Sequence, residues 1–180
     1  MNTDEQLARD IQTGNHDALA ELVRRHHHAL IGFVFRMTGG DRPLAEDMAQ
    51  ETFLRVIRSI NQYSYPRPFK AWLYAIATNL VRDHFKRAEQ RYRVLDVDEA
   101  YLPAEANLES TIMKNQNAQA LMDALMHMPE THRSVIVLRY YQELSLNDIA
   151  EALDLPLGTV KSRLSLGLGR LRQLLEKDFS

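Results

Sequence analysis

The chain has 180 residues, 45% of them hydrophobic, enough for one large or two small globular domains with buried cores. It contains no cysteine, which excludes disulfides and thiolate metal sites, and no run of eighteen apolar residues, which excludes a helical membrane span. Lys and Arg number 22 against 24 Asp and Glu, so a nucleic-acid binder with this balance must segregate its charges, basic on some faces and acidic on others.

Thr3 and Gln6 form a capping box that opens a short helix, and Gly14 closes it. Residues 17–38 read as a long helix, with Leu19, Leu22, Val23, Leu30, Phe33, Val34 and Met37 on one stripe and Gly39-Gly40 as its stop. His26, His27 and His28 lie inside it. Three consecutive residues diverge around a helix, so packed or solvated rings are expected rather than a shared metal. Residues 43–60 make the most regular helix, with Ala45, Met48, Ala49, Thr52, Phe53, Val56, Ile57 and Ile60 as its predicted buried face. Opposite them Asp47, Gln50, Glu51 and Leu54 form a mixed polar and apolar ridge suited to docking a partner helix.

Asn61, Ser64, Pro66 and Pro68 interrupt the helical pattern. A helix over residues 69–90 is predicted to bury Phe69, Trp72, Leu73, Ile76, Ala77 and Leu80. Tyr63, Tyr65, Phe69, Trp72 and Tyr74 crowd this stretch with aromatics, and Asn79, Arg82, Lys86, Arg87, Arg91 and Arg93 follow. Rings that stack on unpaired bases, beside cations that track phosphates, are what a single nucleic-acid strand needs. Phe69 and Trp72 sit on the inward stripe, which leaves the tyrosines as the better stacking candidates. Asp96, Asp98, Glu99, Glu105 and Glu109 then occur with Pro103 and no basic residue, reading as a flexible acidic linker. It divides the chain into predicted domains at 1–93 and 112–180, with the linker at 94–111.

Residues 112–128 read as a helix with Leu121, Met122 and Leu125 on its apolar face and its methionines as gap-filling core. Pro129 punctuates, and a helix over 130–141 carries Val135, Ile136 and Leu138. Ser145 and Asp148 form another capping box, the hydroxyl and the carboxylate each expected to meet a backbone N–H. Ile149, Ala150 and Leu153 form one stripe, residues 154–157 interrupt it with Pro156, and Val160 and Leu164 resume it. Two short helices across such a turn make a helix-turn-helix. On the second of them Thr159, Lys161, Ser162, Arg163 and Ser165 face outward near the start, Arg170 and Arg172 continue, and residues 156–175 contain no acid. Short hydroxyls and long cations there suit phosphate contact and base-edge reading in a major groove.

In this order, the segments Ala45-Glu-Asp-Met-Ala-Gln-Glu-Thr-Phe53, Phe69-Lys-Ala-Trp-Leu-Tyr-Ala-Ile-Ala-Thr-Asn79, Met128-Pro129 with Arg133, and the stretch 144–164 resemble the bacterial sigma-70 superfamily. The short length without an intermediate domain is similar to the extracytoplasmic-function (ECF) subgroup. The resemblance implies an all-α chain of two small helical domains, the second carrying the helix-turn-helix. It implies that Asp47, Gln50, Glu51 and Leu54 dock on the clamp helices of core RNA polymerase. Tyr63, Tyr65, Phe69, Trp72, Asn79, Arg82, Lys86 and Arg87 would recognise, melt and hold the −10 promoter element. Thr159, Lys161, Ser162, Arg163, Ser165 and Arg170 would read the −35 element, and the acidic linker would thread the polymerase channel.

An anti-sigma factor is an expected partner. No cofactor, metal, membrane insertion or catalysis by the chain is expected, and its expected place is the cytoplasm, since no charged-apolar-small leader opens it. Two departures from the family pattern stand out. Leu166 and Gly169 occupy positions often Arg or Lys, and the loop before Phe69 carries two prolines where the family is often more polar. Two rival readings explain less. A regulator of duplex DNA alone leaves the ridge and the aromatic-basic helix without a role, and an enzyme lacks a nucleophile with a convergent base, a phosphate loop and a metal constellation.

Overall fold

The computed structural model describes residues 2–95 and 112–178, which form eight α-helices and, among the described residues, no strand. The helices are α1 (Asp4–Gln12), α2 (His16–Met37), α3 (Arg42–Ser59), α4 (Phe69–Leu95), α5 (Ile112–Met126), α6 (Glu130–Tyr140), α7 (Leu146–Leu153) and α8 (Leu157–Asp178), with a 3-10 turn at Ile60–Gln62. The all-α architecture matches the expectation from sequence. Helix α4 runs to Leu95, two residues into the predicted linker, and the acidic stretch 96–109 lies outside the described residues.

Local chemistry sets the helix ends. The Gln6 N–H donates to Thr3 Oγ1 at 3.2 Å and the Thr3 N–H to Gln6 Oε1 at 2.9 Å, so both halves of the first capping box are present. Asn15 caps α2 and Asp41 caps α3, with Pro43 in its first turn, where a missing N–H costs nothing. Gly39 and Gly40 both adopt positive φ, 76° and 89°, which turns the chain out of α2. The second capping box forms differently from the expectation. The Asp148 N–H donates to Ser145 Oγ, but the Asp148 carboxylate accepts from the Ser145 hydroxyl at 2.7 Å rather than from its backbone N–H.

Helices α1 to α4 form one bundle whose interior includes Leu22, Leu30, Phe33, Ala45, Ala49, Val56, Leu73 and Ala77. Ile57 corrects the predicted face of α3: it is 41% exposed. The buried positions Ala45, Ala49, Thr52, Val56 and Ile60 follow the helical period, and Ile57 falls beside Leu54, three residues back, on the outer side. The three histidines diverge as expected. His26 is buried against the Phe69 ring, with Nε2 2.7 Å from Asp4 Oδ2, and His27 stacks on Phe53. No group of three or more metal-binding side chains occurs among the described residues.

Asp4 ties α1 to α2 through His26 and Arg25, and these contacts, the His26 hydrogen bond foremost, hold its carboxyl below its ordinary value of 3.8. A depressed carboxyl pKa stabilises the fold above the unfolded pKa, and that contribution disappears as pH falls through the folded one. Asp4→Asn is therefore expected to cost about 1–2 kcal/mol at neutral pH, the scale of a charge-assisted hydrogen bond on a partly exposed group. Thermal melts from pH 7 down to 3 check this: the gap between wild type and variant should begin to narrow near pH 4, about the ordinary carboxyl value, and keep shrinking as pH falls towards the lower folded pKa.

The second half packs α6, α7 and α8 through Val135, Leu138, Ile149, Leu153 and Val160, and these side chains join the same continuous core as the first half. A smaller cluster of Leu125, Met128 and Ile136 fills the space beneath Leu164, Leu168 and Leu171. Gly167 allows α6 and α8 to approach, since a Cβ there would meet Ile136 Cδ1 at 3.0 Å. The two halves share a seam lined with polar contacts. Tyr74 Oη donates to Gln142 Oε1 at 2.5 Å, Gln142 Nε2 donates to the Ala29 carbonyl at 3.3 Å, and Lys70 Nζ donates to the Gln142 carbonyl at 2.8 Å. Arg133, buried, donates to the Met37 carbonyl at the C-terminal end of α2 at 3.1 Å, where a cation also meets the negative end of the helix dipole. Burial lowers the pKa of this guanidinium. Arg36 lies over the Tyr141 ring, 3.9 Å from its centroid.

Candidate polymerase and nucleic-acid interfaces

The outer face of α8 is the most open of the predicted surfaces. The turn into it is made by Asp154 in the left-handed conformation, φ 51°, and by the Pro156 carbonyl, which accepts from the N–H groups of Thr159 and Val160. Val160 is fully buried and Leu164 half-buried, which fixes the rotation of the helix. Lys161, Ser162, Ser165, Arg170 and Arg172 are exposed; Thr159 and Arg163 are half-buried at the edge of the face. All the predicted −35 residues thus lie on or beside one surface that carries no acid from residue 156 to 175.

On α3, Asp47, Gln50 and Leu54 are exposed along one line, Leu54 by 39%, and Ile57 extends the line by a turn. Glu51 differs from its neighbours. Its carboxylate is 3.2 Å from Arg55 and 3.7 Å from Arg58, so it is already engaged along its own helix. In the sequence Ile57 reads as part of the inner stripe, because its spacing allows either face, and only its 41% exposure adds it to this line.

The predicted −10 surface is smaller than its sequence suggests. Tyr63 is buried, with ring centroids 5.3 Å from Trp72 and 5.9 Å from Phe69, and its hydroxyl donates to the Arg67 carbonyl. Burial pushes its pKa up to about 12, with the Glu5 charge adding to the shift. Phe69 and Trp72 are buried in the same cluster, and Tyr74 is fully buried at the seam, its pKa raised by desolvation. Tyr63 is thus a brace for the loop rather than an open stacking ring. Tyr65 is the aromatic left outside, 48% exposed, with the Arg9 guanidinium 5.4 Å from its ring centroid. Asn79, Lys86 and Arg87 are exposed on α4, while Arg82 is half-buried and 3.3 Å from Glu130 of α6. Arg67 and Lys70, not singled out from the sequence, flank this surface, Arg67 paired with Glu151 of α7.

The profile for Sigma-70 region 2 matches residues 22–91, and that for Sigma-70 region 4 matches residues 124–173. The chain is 33% identical over 177 residues to the ECF RNA polymerase sigma factor SigW of Bacillus subtilis, covering 93% of this chain and 94% of that protein. The chain belongs to the ECF sigma factors. It is also 37% identical over 162 residues to the ECF RNA polymerase sigma factor SigE of Mycolicibacterium smegmatis, covering 89% of this chain and 62% of that one. Among solved structures it superposes on CnrH, determined in complex with the cytosolic domain of CnrY, with a TM-score of 0.75 and 26% identity over 98% of this chain and 99% of that one.

In this sigma factor the region 2 match takes in the α3 ridge, the aromatic loop and most of α4, and the region 4 match takes in the helix-turn-helix and the acid-free part of α8 up to Gln173. The expected family and fold therefore both hold. The seam closes region 2 against region 4, and three cations on or beside the predicted −10 surface, Arg67, Lys70 and Arg82, are held by groups of the second half. The predicted −35 residues Lys161, Ser162, Ser165 and Arg170 of the sigma factor remain exposed, as does Arg172.

Proposed function

We propose that this ECF sigma factor binds core RNA polymerase through Asp47, Gln50, Leu54 and Ile57, reads a duplex −35 element with the outer face of α8, and captures an unpaired −10 base with Tyr65. Asn79, Arg82, Lys86 and Arg87 hold the separated strand. Glu51 orients the neighbouring arginines of α3. Tyr63, Phe69 and Trp72 set the shape of the loop that presents Tyr65. The observation that carries this reading is the separation of three surfaces with three chemistries on one family framework: a mixed ridge, an exposed ring beside cations, and an acid-free helix face. Stacking offsets part of the cost of extruding a base, and the cations keep the unpaired backbone from closing again.

The chain catalyses no reaction of its own in this reading, needs no cofactor, and works in the cytoplasm; no described helix is long and apolar enough to cross a membrane. Its likeness to CnrH in complex with CnrY, over nearly the whole of both chains, supports a protein partner for the closed arrangement, an anti-sigma factor. Two experiments test the assignment. The purified chain should co-elute with core RNA polymerase and support run-off transcription from its promoter. A chain that binds duplex DNA but never polymerase would instead be an independent regulator.

Strand opening divides these alternatives further. Tyr65→Ala and Asn79→Ala, both at exposed positions, should leave the closed complex intact and lower permanganate reactivity of −10 thymines. The expected loss for Tyr65→Ala is about 1–3 kcal/mol, the scale of one base–aromatic stack. A pre-melted bubble should restore transcription. Normal opening in both variants would place base capture elsewhere on the chain.

A further inference from the structure

Leu166 is 62% exposed, more than any other large hydrophobic side chain described, and it stands inside the surface assigned to DNA rather than at its edge. Helical spacing places it one turn beyond Ser162 and one turn before Gly169. The ground around it is bare. Ser162 and Ser165 are short, and a Cβ added at Gly158 or at Gly169 would meet nothing within 4 Å. Cations border the strip on both sides, Arg163 and Arg170 on one flank and Lys161 and Arg172 on the other, with no acid between residues 156 and 175. A single exposed leucine on a protein surface ordinarily calls for no partner. Here the bordering charge names one. Cations meet the phosphates on either side of a major groove, short side chains let the helix come close, and the apolar group between them faces base edges.

Leucine has neither donor nor acceptor, so it cannot read guanine or adenine by paired hydrogen bonds. The apolar feature in the major groove is the thymine C5 methyl. We propose that Leu166 is a specificity-determining residue of the −35 contact: its side chain packs on the C5 methyl of one thymine, and that methyl is what it reads. The proposal rests on the assignment of α8 to the −35 duplex, and it gives the departure from an expected cation at this position a function. Charge is exchanged for shape at one base pair, while Lys161, Arg163 and Arg170 keep the phosphate contacts.

The test starts with holoenzyme reconstituted from core RNA polymerase and the full chain, used to select binders from a pool of duplexes randomised over the −35 region. In the selected duplex each thymine is then replaced by deoxyuridine, which removes the methyl group and leaves the hydrogen-bonding edge unchanged. Wild type should lose about fourfold in affinity at one position, the equivalent of about 0.8 kcal/mol for one buried methyl. Leu166→Ala should bind the selected duplex about fourfold more weakly, show no penalty for uracil there, and relax selection at that position alone. Leu166→Met, which keeps an apolar contact, should retain the penalty. A selected site with no uracil-sensitive thymine, or an undiminished penalty in Leu166→Ala, would overturn the proposal. So would a Leu166→Ala variant that loses affinity for core polymerase instead of DNA. Lys161→Ala separates this failure from failure of the −35 assignment. If α8 lies on the duplex, this variant weakens all sequences alike and lowers the salt slope by about one. Unchanged binding in both Lys161→Ala and Leu166→Ala would remove the −35 assignment and the proposal with it.

Discussion

Asp47→Lys and Leu54→Asp are each expected to lower affinity for core RNA polymerase by about 2 kcal/mol or more, roughly thirtyfold, and together to abolish holoenzyme assembly. Both side chains are exposed on α3, so neither change removes a buried contact, and circular dichroism and melting temperature should stay at wild-type values. The ridge combines a carboxylate with apolar atoms, and burying a reversed or added charge against a partner leaves it without a counter-ion. Ile57→Asp should behave like Leu54→Asp, since Ile57 is 41% exposed on the same line. Glu51→Lys is a poorer probe, because it also breaks the pairs with Arg55 and Arg58 and sets three cations side by side. Co-elution of Asp47→Lys with core polymerase at wild-type affinity would show that the ridge is only a solvated face.

Gln142→Ala is expected to weaken the closure of region 2 on region 4 by about 1–3 kcal/mol, the cost of leaving the buried Tyr74 hydroxyl without its acceptor. Gln142 is 4% exposed and bridges the Tyr74 hydroxyl and the Ala29 carbonyl. Without its amide, the Tyr74 hydroxyl loses the acceptor it has within a fully buried site. The hydroxyl regains water when the halves separate, so the penalty falls on the closed form alone. Small-angle scattering should report a larger radius for the variant. Tyr74→Phe supplies the second arm of a double-mutant cycle, and strong non-additivity with Gln142→Ala is expected because the two groups share one hydrogen bond. Identical scattering for wild type and Gln142→Ala would show that apolar contacts alone hold the seam.

The parts of this fold legible in the sequence are those governed by near neighbours. Thr3 and Gln6, the glycine pair after Met37, and Pro156 with Val160 each act over a few residues, so the pattern and its outcome are local. The exposed ridge and the α8 face follow from helical period once a buried stripe is recognised. Tyr63 is buried for a non-local reason. Flanked by loop residues, it reads as a surface ring, but the Gln12 side chain of α1 donates to the Ile60 and Tyr63 carbonyls and draws the loop inward. Arg82 reads as a free cation for the same reason: its partner Glu130 lies 48 residues away on another helix. The seam itself pairs groups as distant in sequence as Ala29 and Gln142, and nothing in the local pattern of either announces it.

The continuity of the core across that seam has a thermodynamic consequence. Val135, Leu138, Ile149 and Val160 pack into the same apolar cluster as Phe33, Leu73 and Ala77, so neither half can lose its packing without exposing surface of the other. Small proteins with one shared core unfold all at once. Scanning calorimetry of the free chain should therefore give a single endotherm, with calorimetric and van't Hoff enthalpies equal, although family profiles divide the sequence in two. Binding to polymerase that parts the halves would expose the apolar seam and contribute a positive heat-capacity change, set against the negative one from apolar surface buried on polymerase. The temperature dependence of the binding enthalpy then measures how far the chain has opened.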